Sequence, residues 1–505
     1  GSFRPDIEGL RAVAVLLILL YHAGIPAIPG GYIGVDVFFV ISGFLITGLL
    51  LRELEESGTI NRGRFYARRV RRLLPAAATV LVSVAALTII ALPTLRWAGI
   101  AADVRWSALY SVNWRFAAQA SDYLAAQEAA SPLQHFWSLA VEEQFYLVWP
   151  LVLLSFGSLA GRRRYPLRAT LVAGLVVLSI PSLVWSIYLT GAEPGRAFFV
   201  STTRIWELAA GGCLAILSPA ISRLSRRSAD ALAAAGIAGI LVAAVLFDAR
   251  TAFPGIAAAL PVLATAALIA AGTAAPGLIS RGLGWRPLQH IGALSYSLYL
   301  WHWPFVVVAV ARWGPLTPWQ GTAAVGVSVL PALASYHLVE RRARYSEAFI
   351  TPPRRGLVYG AGLTAVGLLA ASALTIAIPD RPVAAAEEAP PPTAAPAPTP
   401  PPTSAVTTST ATPTTTTSTT AAPEPTTTTV VGPIQPDTEL QLTADVLDPD
   451  PLDARSDLPA VYGDGCHQVQ AESAVTSCYY GAEESDIEVV VVGDSHAAMW
   501  VPTLR

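Results

Sequence analysis

An apolar run near the start of the chain, residues 9–24 (GLRAVAVLLILLYHAG), contains a histidine eleven residues after an arginine. Eleven residues make almost three turns of an α-helix, so Arg11 and His22 lie on one helix face, about 16 Å apart along the axis. An ionisable side chain inside a bilayer costs roughly 2.5 to 3.5 kcal/mol and is usually kept for pairing or chemistry. Imidazole exchanges a proton near neutral pH, which makes His22 a candidate base or acyl acceptor.

Three further apolar segments repeat this pattern of polar residues on one helical face. Each set has the spacing i, i+3, i+7 or i, i+4, i+7, which aligns side chains along a helix. The three sets are His135, Ser138 and Glu142; Arg204, Glu207 and Gly211; and Ser295, Tyr299 and His302. Because polar stripes on membrane helices face a protein interior, we expect a shared cavity, with Asp36 and Ser42 of the second apolar run also facing it.

Several of these residues have a structural alternative. Arg204 and Glu207 are three residues apart and can satisfy each other as an intrahelical ion pair. His302 lies in SYSLYLWHWPF, where the aromatic residues and Pro304 are also typical of an interfacial belt and a helix bend. Asp36 follows a short turn and can cap the second helix.

The composition predicts a polytopic membrane protein. The chain has 505 residues, of which 53% are hydrophobic and 13% are charged, and its net charge is −2. Apolar runs of about 20 residues, the length that crosses a bilayer as a helix, give eleven predicted spans. They are residues 10–29, 32–51, 74–92, 133–157, 167–189, 204–218, 229–248, 254–273, 288–311, 317–339 and 356–378.

The placement of arginine predicts the orientation of these spans. With a cytoplasmic N-terminus, the inner loops contain 21 arginines and the outer loops contain six. Basic residues concentrate on the cytoplasmic side of membrane proteins, so we expect this orientation, with everything after residue 379 outside. The arginines of residues 52–72 serve orientation in any membrane protein, and they are equally suited to binding a phosphate-rich ligand from the cytoplasm.

The amino-acid composition of the chain changes twice after residue 379. Residues 380–436 are rich in Pro and Thr and lack apolar periodicity, which predicts a disordered, solvated tether. Residues 487–492 form a β-branched run ahead of GDSH, so Ser495 occupies a strand-to-helix turn of the kind that exposes a hydrolase nucleophile. We expect a disulfide between Cys466 and Cys478 on the same outer segment.

Seven motifs, in order, resemble the signatures of the membrane acyltransferase-3 family. They are RPDIEGLRAVAVLLILLYH, GVDVFFVISGFLITGLL, FYARRVRRLLP, HFWSLAVEEQFYLVWP, RIWELAAGG, SYSLYLWHWP and SYHLVERRARY. The resemblance covers residues 3–345 and implies a membrane domain of ten helices, followed by an additional transmembrane helix at residues 356–378. One departure is VERRAR, which lacks the proline expected soon after the glutamate.

The tether and the GDSH segment resemble the subgroup in which this membrane domain is fused to an extracytoplasmic SGNH (GDSL-type) domain. We assign the first part of that domain to residues 437–505. The predicted fold class is therefore an all-α polytopic membrane protein with a disordered Pro/Thr linker and the start of an α/β SGNH domain.

The resemblance implies transfer of an acyl group, usually acetyl, from cytoplasmic acetyl-CoA to hydroxyls of an envelope glycan or glycolipid outside the bacterial inner membrane. His22 then serves as base or acyl acceptor, Glu142 orients it, and Ser495 is the nucleophile of the SGNH part. The residues expected to hold CoA phosphates are Arg11, Arg68, Arg69, Arg71 and Arg72. Membrane lipid is a further partner, and we expect neither a metal ion nor a nucleic acid.

Two other classes of protein fit part of the pattern. A transporter or flippase for a lipid-linked envelope intermediate would also have polar stripes along a cavity. A membrane-tethered SGNH esterase would locate all chemistry around Ser495 and use the eleven spans only as an anchor. The esterase explains His22 and Glu142 poorly.

Overall fold

Long apolar segments form α-helices in a membrane because a helix satisfies its backbone N–H and C=O groups within the segment. The computed structural model describes residues 3–121, 129–346 and 352–379, and the regular structure within these ranges is helical. The all-α membrane fold is therefore confirmed for the described part of the chain. The tether 380–436 and the segment 437–505, which contains Ser495, Cys466 and Cys478, lie outside the described residues.

Sixteen α-helices occur within the described ranges, and a short π-helix, Tyr336–Glu340, joins the fourteenth to the fifteenth. They are α1 (Pro5–His22), α2 (Gly34–Ser57), α3 (Arg62–Ala91), α4 (Trp97–Ala108), α5 (Val112–Gln119), α6 (Phe136–Arg163), α7 (Leu167–Ala192), α8 (Pro194–Phe199), α9 (Ile205–Ile221), α10 (Arg226–Leu246), α11 (Ala259–Ala274), α12 (Leu278–Leu283), α13 (Arg286–Trp313), α14 (Pro318–Ser335), α15 (Arg341–Tyr345) and α16 (Pro353–Ile376).

Each of the eleven predicted spans overlaps one of the longer helices, although the first, 10–29, continues beyond the end of α1 at His22. Eight segments of the described chain are long and apolar enough to cross a membrane: α2 with the turn before it, α3, α6, α7, α10, α13, α14 through α15, and α16. Helices α9 and α11 are apolar but shorter, at 17 and 16 residues. Helix α1 has 18 residues and contains Asp6, Glu8 and Arg11. The total of eleven spans therefore stays a prediction.

Helices α4 and α5 occupy a stretch that the arginine pattern assigns to an outer loop. Helix α4 has 12 residues and α5 has eight, so neither can span a bilayer. Gln144 of α6 donates from Nε2 to the carbonyl oxygen of Tyr110 and to Oδ1 of Asn113, at 2.8 and 2.9 Å. These bonds hold the turn between α4 and α5 against α6, so both short helices belong to the packed bundle.

Glycine residues allow two helix pairs to approach closely. Gly292 of α13 lies against the backbone of Glu8 in α1, and Gly43 of α2 lies against the backbone of Leu208 in α9. A Cβ atom at either glycine would collide with a main-chain oxygen. Small residues are typical of helix contacts in membranes, where close packing contributes much of the association energy. These contacts place α1 against α13 and α2 against α9.

A buried ion cluster also fastens α2 to α9. Arg204 lies just before α9 and donates from Nη1 to Asp36 of α2 at 2.9 Å and to Glu207 of α9 at 3.0 Å. All three side chains are almost completely buried. Aromatic rings surround the guanidinium group at 5.1 to 5.4 Å, namely those of Trp137, Phe198 and Phe253. The ion pair of Arg204 with Glu207, given above as the structural alternative, is therefore present, and Asp36 is its third member.

Replacing Arg204 should destabilise the fold strongly, because Arg204→Met leaves two buried carboxyl groups without their cation. Removing one partner of a buried ion pair costs about 3 to 5 kcal/mol. Arg226 is a matched control, since its pair with Asp230 at 3.1 Å is about half exposed, and such exposed pairs contribute less than about 1 kcal/mol. Thermal unfolding in detergent, followed by circular dichroism, should show a large drop in melting temperature only for Arg204→Met. Equal drops for Arg204→Met and Arg226→Met would contradict this account.

Candidate active site

A cavity of about 280 Å³ lies among α1, α2, α3, α6 and α13. Its wall combines apolar side chains, mostly from α2, with polar groups from all five helices. The polar lining residues are Arg11, Ser42, Arg52, Arg69, Arg72, Ser138, Glu142, Tyr146, Ser295, Tyr296 and Tyr299. Eight of these eleven residues are individual candidates from the sequence analysis, and Arg52 belongs to the arginine-rich segment 52–72 considered there. Tyr146 and Tyr296 are additions.

Arginines from three helices form the basic part of the cavity wall. Arg11 of α1 donates to Ser295 of α13 at 2.8 Å and to Glu8 at 3.2 Å. Arg69 and Arg72 of α3 lie one turn apart, and neither makes an ion pair with any residue that the structure describes. Helix α3 begins at residue 62 because the side chain of Asn61 accepts the backbone N–H of residue 64, an N-cap that sets the register of these arginines.

Two arginines of the same segment point elsewhere. Arg68 pairs with Glu53 at 3.7 Å, and Arg71 donates to the carbonyl oxygen of Ser346 at 3.1 Å. Neither is part of the cavity wall. Of the four arginines of α3 that the sequence analysis selected, the cavity therefore brings Arg69 and Arg72 together with Arg11.

Glu142 of α6 is the acidic group of the cavity. It accepts a hydrogen bond from Tyr146 at 2.6 Å and another from Ser42 of α2. The expectation that Glu142 orients His22 is wrong for this structure, because the partner of His22 is another residue. Tyr146 lies four residues after Glu142, and this i, i+4 spacing is the signal that would have selected it from the sequence.

His22 bonds to His302 of α13, with Nδ1 of His22 at 2.9 Å from Nε2 of His302. Arg11 also bonds to α13. Arg11 and His22 therefore both contact this helix, as their position on one face of α1 predicts. The ring of His22 packs against Trp303, with ring centroids 4.5 Å apart. Neither His22 nor His302 lines the cavity itself.

Tyr299 and Ser138 connect the cavity to the two histidines. Their hydroxyl oxygens are 2.6 Å apart and both residues line the cavity. The Tyr299 hydroxyl donates to the carbonyl oxygen of His135 at 2.9 Å, and the Tyr299 carbonyl oxygen lies 2.7 Å from Nδ1 of His302. Tyr299 therefore contacts the cavity with its side chain and the histidine pair with its backbone.

Pro304 explains the position of His135. A proline has no N–H, so the carbonyl oxygen four residues earlier, that of Leu300, lacks its usual helical donor. The ring of His135 takes that place, with Nε2 at 3.0 Å from the Leu300 oxygen. His135 is buried and lies outside the cavity wall, so the contact that the structure shows for it is structural.

The cluster of Arg204, Asp36 and Glu207 does not line this cavity, although the sequence analysis placed all three there. Their charges are directed at one another in the contact between α2 and α9. Within the described ranges, no group of three or more His, Cys, Asp or Glu side chains is placed to hold a metal ion.

Comparison with known proteins gives a family for this arrangement. Residues 4–337, about two thirds of the chain, match a protein-family profile described as an acyltransferase domain. No solved structure matches the chain.

Two curated relatives share the sequence over a similar range. The chain is 34% identical over 353 residues to the peptidoglycan O-acetyltransferase OatA of Listeria monocytogenes, covering 67% of this chain and 55% of that protein. It is 32% identical over 385 residues to the O-acetyltransferase OatA of Staphylococcus aureus, covering 74% of this chain and 63% of that protein. The chain thus spans little more than half the length of these relatives. By the family match and these relatives together, the chain belongs to the membrane acyltransferase-3 family.

Proposed function

We propose that this chain is a membrane O-acetyltransferase that moves an acetyl group from cytoplasmic acetyl-CoA to a hydroxyl of an envelope glycan or glycolipid. Family membership supports acyl transfer over transport, and relatives named as peptidoglycan O-acetyltransferases support a cell-wall glycan as the acceptor. The observation that carries the proposal is the cavity, where Arg69 and Arg72, which form no ion pair within the described residues, lie in one space with Glu142, Tyr146 and Tyr299.

The arginines fit the phosphates of CoA. Arg69 and Arg72 have no carboxylate partner among the described residues, although each is partly withdrawn from solvent. A guanidinium group in that position favours an anion, and its planar fork matches phosphate oxygens. Arg52 and Arg11 add positive charge to the same wall. In the predicted orientation this basic wall faces the cytoplasm, where acetyl-CoA is available.

His22 supplies the acid-base chemistry of this proposal. As the acceptor oxygen attacks the acetyl carbonyl, His22 takes the hydroxyl proton, and the same proton returns to the sulfur of CoA as the thioester bond breaks. Tyr299 contacts both the cavity and the pair of His22 and His302, which supports transfer of the acetyl group between the cavity and this pair. Any relay of the acetyl group through Ser495 stays a prediction about residues that the structure does not describe.

Arg72→Ala should weaken acetyl-CoA binding about tenfold or more, because one charge-assisted contact to phosphate is lost. Arg168→Ala is the matched control, since Arg168 pairs with Glu55 in a partly exposed position and lies outside the cavity wall. Isothermal titration of acetyl-CoA into each purified variant gives the two affinities. Equal affinity for Arg72→Ala, Arg168→Ala and the unchanged protein would remove α3 from the donor site.

His22→Gln should abolish acetyl transfer with little change in stability. The glutamine amide can keep the hydrogen bond to His302, but it cannot accept a proton near neutral pH. Loss of a general base lowers the rate by about 10² to 10⁴. Transfer of radiolabelled acetyl from acetyl-CoA to N-acetylglucosamine oligomers, measured in proteoliposomes, tests this. Retention of most of the transfer rate by a folded His22→Gln protein would end the proposal for His22.

The orientation can be tested with single cysteines in a background where the three native cysteines are replaced. A cysteine at Gly314, between α13 and α14, should react with a membrane-impermeant maleimide added outside intact cells. One at Gly63, near the start of α3, should react only after the membrane is permeabilised. Labelling of both positions from outside would refute a cytoplasmic donor site.

A further inference from the structure

We propose that His302 is the positioning residue for His22: it holds His22 in the tautomer that leaves Nε2 free to accept a proton. The inference rests on the proposed function, in which His22 is the base. It assigns a role to the second histidine and names the reacting atom of the first.

The first step is the protonation of His302. Its Nδ1 atom lies 2.7 Å from the carbonyl oxygen of Tyr299 and 3.3 Å from that of Leu298. Carbonyl oxygens only accept hydrogen bonds, so Nδ1 must hold a proton and donate it. His302 is fully buried, and no ion pair in the described part of the chain includes a histidine. Because burial without a counter-charge disfavours a cation, His302 is neutral and its Nε2 has a lone pair.

The second step transfers this constraint to His22. Nε2 of His302 lies 2.9 Å from Nδ1 of His22 and can only accept, so Nδ1 of His22 must donate. A neutral imidazole has one proton, which leaves the lone pair of His22 on Nε2. The backbone of α13 therefore determines, through His302, which nitrogen of His22 is the base.

Aromatic packing keeps His22 in this orientation. Its ring lies within 5.1 Å of both the Tyr21 and His302 rings and within 4.5 Å of the Trp303 ring, measured between centroids. Trp303 is itself fixed, because its indole N–H donates to the carbonyl oxygen of Ser131 at 2.7 Å. A ring flip of His22 would break the bond to His302 and disturb these contacts.

The proton balance of the reaction is simple in this arrangement. Nε2 of His22 takes the proton of the acceptor hydroxyl while the new ester bond forms, and the proton then passes to the departing CoA sulfur. The bond from Nδ1 of His22 to His302 persists throughout, and His302 neither gains nor loses a proton. A third group that fixes the tautomer of a catalytic histidine is worth up to about 10⁴ in rate in serine proteases.

The kinetic test compares two substitutions of His302 with a control on the same helix. His302→Leu removes the acceptor and should lower kcat about 100-fold or more, with the KM for acetyl-CoA changed less than about twofold. His302→Gln keeps an acceptor oxygen, so its kcat should be at least tenfold higher than that of His302→Leu. His290→Gln is the control: His290 also bonds a carbonyl oxygen four residues earlier in α13, at 2.8 Å, but is exposed. It should leave both constants unchanged.

A spectroscopic test needs no substitution at His302. Nitrogen-15 NMR of histidine-labelled protein in nanodiscs distinguishes the two tautomers, and His22→Gln identifies the His22 signals among those of the seven histidines. The unchanged protein should show His22 protonated on Nδ1. Protonation on Nε2 would overturn the proposal, and so would full kcat in a folded His302→Leu protein.

These results separate the two proposals. Full acetyl transfer by His22→Gln would refute the proposed function of His22, and the inference about its tautomer would lose its catalytic meaning. Loss of transfer in His22→Gln together with unchanged kcat in His302→Leu would refute the positioning role while leaving His22 as the base.

Discussion

Helix α1 is held against α13 by two polar bonds, from Arg11 to Ser295 and from His22 to His302. Inside a membrane no water replaces a lost partner, so each bond restrains both helices. Gly292 brings the two backbones close enough for these side chains to meet. The cavity and the histidine pair both depend on this contact, because α13 contributes Tyr299 to one and His302 to the other.

Arginines in two different settings differ in whether a carboxylate of the protein balances their charge. Arg204 has both Asp36 and Glu207 as partners, so its charge is satisfied within the protein. Arg69 and Arg72 line a cavity without a carboxylate partner in the described part of the chain. A cation in the second situation gains most from an anionic ligand. The contrast supports the proposed phosphate site on α3 and a structural role for Arg204 at the contact of α2 with α9.

Backbone carbonyl oxygens of α13 near Pro304 position two of the histidines. Pro304 removes a helical donor from α13, and His135 uses the freed oxygen of Leu300. One residue earlier, the carbonyl oxygen of Tyr299 accepts a hydrogen bond from Nδ1 of His302. Side chains from α1 and from the start of α6 are therefore both positioned by one segment of α13 backbone, residues 298–300. Pro304 thus frees the backbone oxygen that positions His135 against this segment.

The sequence by itself determined the helical membrane fold, the positions of the longer helices and the family, because apolar length and helical spacing are local properties of the chain. It also placed Arg11 and His22 on one face, since that follows from 3.6 residues per turn. Only the tertiary structure decided the partners. It gave His302 rather than Glu142 to His22, and it assigned Arg204 to a structural cluster. The physical reason is that a hydrogen bond between helices depends on how those helices pack, and residues 280 positions apart in sequence have no local signal that pairs them.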